Sequence, residues 1–265
     1  MAKPQIVMIP GAWHKPEEYC DKITALLSTA GYTVHARQMP AVGTPNPPRN
    51  LSADIAFAQD LVDEAIGEAG NDVVVIVHSW GGIIGGSALS GYGKETRAAQ
   101  GKKGGVTALG YMTAFLLPEG MSLLDAAGNK HSPWSRLDEE NNLIYAQVPE
   151  IFYNDLPEDE QKYWFDRLQS HNLSGFTTPC TAASWKELPT SYLVCEDDLA
   201  IPVSAQDGMI QGARDAGVEV DVTRIKAGHS PFLSKPEETV NWIRKVAARG
   251  SKEAGMGCGK SSDDR

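Results

Sequence analysis

Val73-Val74-Val75-Ile76-Val77 is apolar on both faces for five residues and then breaks into His78-Ser79-Trp80-Gly81-Gly82. A β-branched run without polar alternation belongs in the middle of a parallel sheet, buried from both sides. The run ends in a tight turn into a glycine-rich helix. Such a turn holds the residue at its tip with the side chain exposed above the sheet edge. That residue is Ser79, and Gly81 and Gly82 keep the helix side of the turn small. The helix N-terminus also points a backbone donor, the N–H of Trp80, at negative charge developing beside the serine. A serine that merely caps a helix is common after a strand. Strand, elbow and Gly-rich helix in uninterrupted order lift Ser79 above that reading and make it the candidate nucleophile.

Working outward, Ile6-Val7-Met8-Ile9, closed by Pro10-Gly11, reads as a first strand. Residues 16–30 carry Ile23, Leu26, Leu27 and Ala30 at helical spacing and stop at Gly31. Tyr32 to Arg37 reads as a second strand, the proline-rich stretch 40–48 as a loop, and Ser52 to about Ala69 as a helix. Further strands are expected at 106–112, 191–195 and 220–225, with helices near 203–215 and 236–248. Strands alternating with helices define a doubly wound, mostly parallel α/β sheet.

The rhythm breaks from about 116 to 185. Turn signals crowd this interval, one helix is expected at about 157–169, and nine of the chain's twenty aromatics fall there. We read it as a helical cap inserted over the C-terminal edge of the sheet, where α/β folds bind ligands. Pocket candidates are Trp13, Phe115, Trp164 and Trp185. The competing expectation is that each cap aromatic simply packs the cap's own core. A single domain is expected over 1–249, followed by a Gly-, Ser- and Lys-rich disordered tail at 250–265. Gly259-Lys260-Ser261 in that tail mimics the end of a phosphate-binding loop, but Ala254 stands where the motif needs glycine and no strand precedes it.

Composition narrows the function classes. The 265 residues carry a net charge of −10 and are 42% hydrophobic, an ordinary globular balance that needs no disulfide or metal staple. The acidic excess, with no basic stripe, argues against nucleic acid or an anionic membrane as partner. No apolar run approaches the ~20 residues of a membrane span. The first strand begins at once, without a signal-peptide core, and Cys20, Cys180, Cys195 and Cys258 lie far apart with no CxxC pair. A cytoplasmic protein is therefore expected, in which the sequons at Asn50 and Asn172 carry no weight. Its partner is expected to be a small-molecule substrate, and self-association stays open. No His, Cys or Asp cluster has metal-ligand spacing, so neither metal nor organic cofactor is expected.

A serine nucleophile needs a base, and the base an orienting acid. Of six histidines, His229 is the one in a short loop after a late strand, within Lys226-Ala227-Gly228-His229-Ser230-Pro231, where it can lean toward Ser79. His14, His35, His131 and His171 lack such a placement, and His78 is expected to point into the fold. The acid is expected after Tyr192-Leu193-Val194-Cys195, where Glu196, Asp197 and Asp198 offer three carboxylates. The chain order is serine, acid, histidine, unlike either protease order.

These segments together resemble the α/β-hydrolase superfamily from residue 5 to about 248, nearest the branch of small plant methyl-ester esterases and hydroxynitrile lyases with their fungal and bacterial relatives. Pro10-Gly11-Ala12-Trp13-His14 is similar to the family's H-G-A-W segment, and His78-Ser79-Trp80-Gly81-Gly82 to its elbow. Cys195-Glu196-Asp197-Asp198-Leu199-Ala200-Ile201-Pro202 is similar to its acid loop, and Gly228-His229-Ser230-Pro231 with the adjoining Phe232-Leu233-Ser234-Lys235-Pro236 to its histidine loop. The resemblance implies an α/β-hydrolase fold with Ser79 as nucleophile, Asp198 as acid and His229 as base. The amides of Ala12 and Trp80 would be the oxyanion donors. It further implies a serine-dependent hydrolase of an ester, lactone or thioester of a small apolar molecule. Some relatives turn the triad to C–C cleavage, decarboxylation or cyclisation, and others bind ligands as receptors. In the cyanohydrin-cleaving relatives a lysine comes directly after the base, where this chain has Ser230. Two positions depart from the pattern: Val77 replaces the elbow's first glycine, and Pro10 the histidine before Gly11.

Overall fold

A computed structural model gives the fold, with residues 2–16 and 20–257 described. β1 (Gln5–Ile9) leads through the loop at 10–14 to α1 (Asp21–Thr29), β2 (Val34–Ala36), α2 (Ser52–Ile66) and β3 (Asp72–Ser79). The elbow passes into α3 (Gly81–Ala88), then α4 (Lys94–Ala99) and β4 (Gly105–Ala114). The inserted segment carries α5 (Leu123–Ala126), β5 (Ser135–Asp138), β6 (Leu143–Ala146), α6 (Glu150–Tyr153), α7 (Glu158–Phe165), β7 (His171–Asn172) and α8 (Ser174–Thr177). The chain closes with β8 (Thr190–Cys195), α9 (Val203–Asp215), β9 (Val220–Ile225), α10 (Pro231–Ser234) and α11 (Pro236–Gly257).

Six strands form one sheet in the order β2-β1-β3-β4-β8-β9, and every neighbouring pair is parallel. The valine run lies at its centre because both its faces are covered. α11 packs on β3 and β4 and against α1, while α2 packs against α3 and on β1 and β3. All ten residues of β4 are buried for the same reason. From β1 the chain goes outward to β2 and then crosses back to β3 on the other side. The loops after β1 and β3 therefore flank the point where strand order reverses, the crevice in which such sheets bind ligands.

Val77, the bulky departure in the elbow, is accommodated across the turn. Its Cγ1 lies 2.5 Å from where a Cβ on Gly85 would stand, so a glycine one helical turn into α3 takes up the side chain that the strand presents.

The cap is not helical throughout. β5, β6 and β7 form a three-stranded antiparallel sheet in the middle of it, with short helices on either side. Strands of four, four and two residues are too short for their alternation to stand out from loop sequence. The helix expected at 157–169 is α7, which ends at Phe165. At the other end of the chain, α11 runs on past Gly250 to Gly257. Residues 258–265, with the Gly259-Lys260-Ser261 triplet, lie outside the described residues. No helix among the described residues is long and apolar enough to cross a membrane.

Candidate active site

Ser79 ends β3 with φ 52°, a left-handed conformation that a non-glycine residue keeps only where its surroundings enforce it. The enforcement is steric. A Cβ on Gly11 would lie 3.0 Å from Ser79 Cβ, one on Gly81 2.6 Å from the Ile9 and Pro10 carbonyl oxygens, and one on Gly82 2.4 Å from the Phe115 carbonyl oxygen. The elbow is wedged between the loops that leave β1 and β4, and these three positions admit no side chain. The Phe115 N–H donates to the Ser79 carbonyl at 3.1 Å and closes the wedge.

His229 sits in the loop between β9 and α10, almost fully buried. Its Nε2 stands 3.0 Å from Ser79 Oγ and its Nδ1 2.7 Å from Asp198 Oδ2. A carboxylate can only accept, so Nδ1 carries the proton and Nε2 is left as acceptor for the Ser79 hydroxyl. Asp198 is itself held by several donors. Oδ1 accepts the N–H groups of Ala200 at 2.7 Å and Ile201 at 2.9 Å, and Oδ2 accepts the Thr113 hydroxyl as well as His229. Of the other two carboxylates, Glu196 turns outward to pair with Arg224 at 3.1 Å, and Asp197 is exposed. Only Asp198 of the three meets His229.

Thr113 lies one residue beyond the strand end expected at 112, and nothing in its own neighbourhood of the chain marks it. The register between β3 and β4 shifts between His78 and Ser79, so that Ser79 pairs with Ala114 and Thr113 is bulged out with φ 36°. A bulge re-aims a side chain in this way, and here it points a hydroxyl at the acid. His78, as expected, points inward: its Nε2–H donates to the His229 carbonyl at 2.9 Å. Burial, with His229 and His14 nearby, holds its pKa well below the ordinary imidazole value.

Ala12 and Trp80 are both buried beside Ser79, and the loop, turn and cap hydrogen bonds among the described residues leave their amide N–H groups unused. Above them lies a cavity of about 190 Å³. Ser79 and His229 open onto it, with Trp13 and Phe115 on the sheet side and Trp134, Phe152 and Phe176 from the cap. Two larger cavities, of about 440 and 560 Å³, are lined by neither Ser79 nor His229.

Trp13 and Phe115 thus line the chamber, but Trp164 and Trp185 do not. Trp164 packs edge-on against Tyr163 within α7, 5.1 Å between centroids. Trp185 is buried with its Nε1–H on the Leu117 carbonyl at 2.9 Å and lines the two other cavities. Two further histidines, His14 and His171, are buried beside the site. His14 Nδ1–H donates to the Ala12 carbonyl at 2.7 Å and its Nε2 accepts the Tyr153 hydroxyl at 2.8 Å; burial lowers its pKa to about 4. His171 is fully buried against Trp80, 4.5 Å between centroids, and among the described residues neither of its ring nitrogens makes a hydrogen bond. Burial pushes its pKa down to about 3, so it serves as a neutral spacer. Nothing in a two-residue strand marks such a residue from sequence. Among the described residues, no group of three His, Cys, Asp or Glu side chains could hold a metal ion.

Comparison with known proteins adds to this geometry. The family model described as the Alpha/beta hydrolase family matches residues 6–242. The Alpha/beta hydrolase nvfD of Aspergillus novofumigatus is 31% identical over 251 residues, covering 93% of this chain and 98% of that protein. Among solved structures, a Pyrethroid Hydrolase from Sphingobium faniae matches with a TM-score of 0.70 at 23% identity, covering 94% of this chain and 99% of that one. Tomato Methylketone Synthase I, complexed with 2-tridecanone, matches with a TM-score of 0.73 at 15% identity, with coverage of 94% and 99%. At these identities the two structures share the fold with this chain.

Proposed function

The chain belongs to the α/β-hydrolase family, and from that premise we propose that it is a serine hydrolase cleaving an ester, lactone or thioester of a small apolar molecule. The observation that carries the reading is the unbroken line from Ser79 Oγ to His229 Nε2 to Asp198, at 3.0 and 2.7 Å, beneath an apolar chamber. In this mechanism His229 Nε2 takes the Ser79 proton as Oγ attacks the substrate carbonyl carbon. The carbonyl oxygen becomes an oxyanion, received by the N–H groups of Ala12 and Trp80. The tetrahedral intermediate collapses, the bond to the leaving oxygen or sulfur breaks, and His229 hands its proton to that atom. Water then attacks the acyl-serine, His229 takes its proton, and collapse releases the carboxylic acid as Ser79 regains its hydrogen. Asp198 keeps the imidazole in the required tautomer throughout.

Phe115, Ala126 and Ala205 line both the chamber and the cavity of about 560 Å³ beside it. Two small side chains at that junction leave room for an apolar arm longer than the chamber. A panel of p-nitrophenyl esters of increasing acyl length tests the reading. The expected result is turnover that rises with apolar chain length and continues past the size of the chamber; no turnover of any ester, lactone or thioester would contradict it.

A further inference from the structure

From the end of α6 onward, four consecutive cap residues each touch a different part of the machinery at the sheet edge. Phe152 lays its ring 5.8 Å from that of His229 and 5.5 Å from that of Trp13. The Tyr153 hydroxyl donates to His14, which donates in turn to the carbonyl of Ala12, at 2.8 and 2.7 Å. Asn154 Nδ2–H donates at 2.9 Å to the Asp197 carbonyl, in the peptide that leads into Asp198. Asp155 Oδ2 accepts at 2.7 Å the N–H of Gly228, the residue before His229. One short stretch of backbone thus grips the loops that leave β1, β8 and β9.

The local sequence accounts for this reach. α6 is a single turn, and Pro157, which restricts Leu156 before it, keeps that turn from running on into α7. Phe152 and Tyr153 close that turn and Asn154 and Asp155 follow it, so four successive side chains point in different directions.

Gly228 supplies an independent sign. Its backbone is not in the left-handed region, yet a Cβ there would fall 2.3 Å from Asn154 Oδ1 and 2.8 Å from Asp155 Oδ1. Close approach of the cap segment, not backbone conformation, is what demands a glycine next to His229.

We infer that Phe152-Tyr153-Asn154-Asp155 is a positioning element, a clamp carried by the cap that fixes the oxyanion loop, the acid loop and the histidine loop relative to one another. The inference rests on the serine-hydrolase reading of Ser79. Three groups that must meet within fractions of an ångström stand on three separate strand ends, and a misplacement of about 1 Å lowers a rate about 100-fold. Of the four clamp residues, only Phe152 lines the chamber. Loosening the other three therefore disturbs the alignment of the reacting groups and leaves the substrate's walls as they are.

That separation makes the test. Tyr153→Phe keeps the ring and removes the donor; Asp155→Ala removes the acceptor, Asp155→Asn returns one oxygen, and Gly228→Ala pushes on the segment from the other side. Tyr153→Phe, Asp155→Ala and Gly228→Ala are expected to lower kcat about 10- to 100-fold. KM stays within about 2-fold, since uniform binding is untouched. Asp155→Asn recovers most of the loss, and the rate at which a phosphonate probe labels Ser79, read by intact mass, falls in step with kcat. A drop in Tm with kcat and labelling rate unchanged would overturn the clamp, as would a rise in KM at constant kcat. Wild-type protein that is not labelled at Ser79 overturns the serine-hydrolase reading and the clamp with it. Wild type that labels normally, with Tyr153→Phe labelling just as fast, overturns the clamp alone.

Discussion

The floor and the roof of the chamber are held together by different means. Below, Ser79, Asp198 and His229 stand on turns at the ends of parallel strands, and the backbone ladder of β3, β4, β8 and β9 sets their spacing. Above, no element of the cap is longer than eight residues. Its shape depends on side chains that meet across long gaps in sequence, as Trp13 does with Trp134 at 5.9 Å and with Phe176 at 5.4 Å. A ladder is common to every sequence that can form strands, whereas a cluster of rings is particular to the rings it contains. The proposed triad sits on the first, whereas the chamber wall combines Trp13 and Phe115 of the first with Trp134, Phe152 and Phe176 of the second, so chemistry and selectivity are expected to respond to different substitutions.

The sharpest way to break that division is at the elbow. Ser79→Ala is expected to lose more than ~10³-fold in kcat while its Tm stays where it was. Next in size, Asp198→Asn keeps its oxygen on the Ala200 and Ile201 amides and turns an N–H toward His229 Nδ1, which favours the wrong tautomer and is expected to lower kcat by ~10²–10⁴-fold, whereas Glu196→Gln and Asp197→Asn change it little. The reverse ranking in steady-state kinetics would move the acid to another carboxylate. On the roof, Trp134→Ala is expected to change the kcat/KM ratio between long and short acyl esters about 10-fold, and Trp164→Ala to leave it within about 2-fold. Equal shifts from both would show that α7 also reaches the substrate.

The smallest effect concerns the seam between the two regions, where His14, His78 and His171 are buried. Burial lowers all three pKa values, that of His14 to about 4 and that of His171 to about 3. The unfolded chain, with ordinary imidazoles near 6.5, takes up protons that the folded protein refuses. Their stabilising contribution is whole above pH 6.5 and drains away as pH falls toward 4 and then 3. Asp54 works with the opposite sign. Burial raises its pKa from 3.8 to about 7, so its contribution is whole below 3.8 and is lost as pH rises through 7. Three protons outweigh one. The urea midpoint is expected to fall between pH 6.5 and pH 4.5, and Asp54→Asn to make that fall steeper; a midpoint that rises instead would contradict the assignment.

Legibility divides along the same line between floor and roof. Val73-Val74-Val75-Ile76-Val77 announces a central strand because five apolar residues in a row have no other stable place, and the elbow comes with it. His229 could be singled out by its loop. Residues alone do not tell Asp198 from its two neighbours, and only the resemblance of Cys195–Pro202 to the family's acid loop points to it. Thr113 was out of reach because its orientation comes from a bulge, a property of two strands paired together. In the cap, the β5–β6 hairpin was invisible at four residues a strand, and Trp164 and Trp185 were misplaced because aromatic density says where rings are numerous but not which way each one faces. Nothing in the sequence ties Tyr153, Asn154 and Asp155 to the strand-end loops, since their partners lie more than forty residues away.

Covalent labelling tests the role of Ser79 most directly. Wild-type protein and Ser79→Ala are each treated with a fluorophosphonate probe, and the adduct is weighed intact and mapped by peptide sequencing. One adduct per wild-type chain is expected, on Ser79, with loss of ester hydrolysis in proportion to labelling, and none on the folded Ser79→Ala variant. An adduct on another residue, or ester hydrolysis that survives complete labelling of Ser79, would contradict that role.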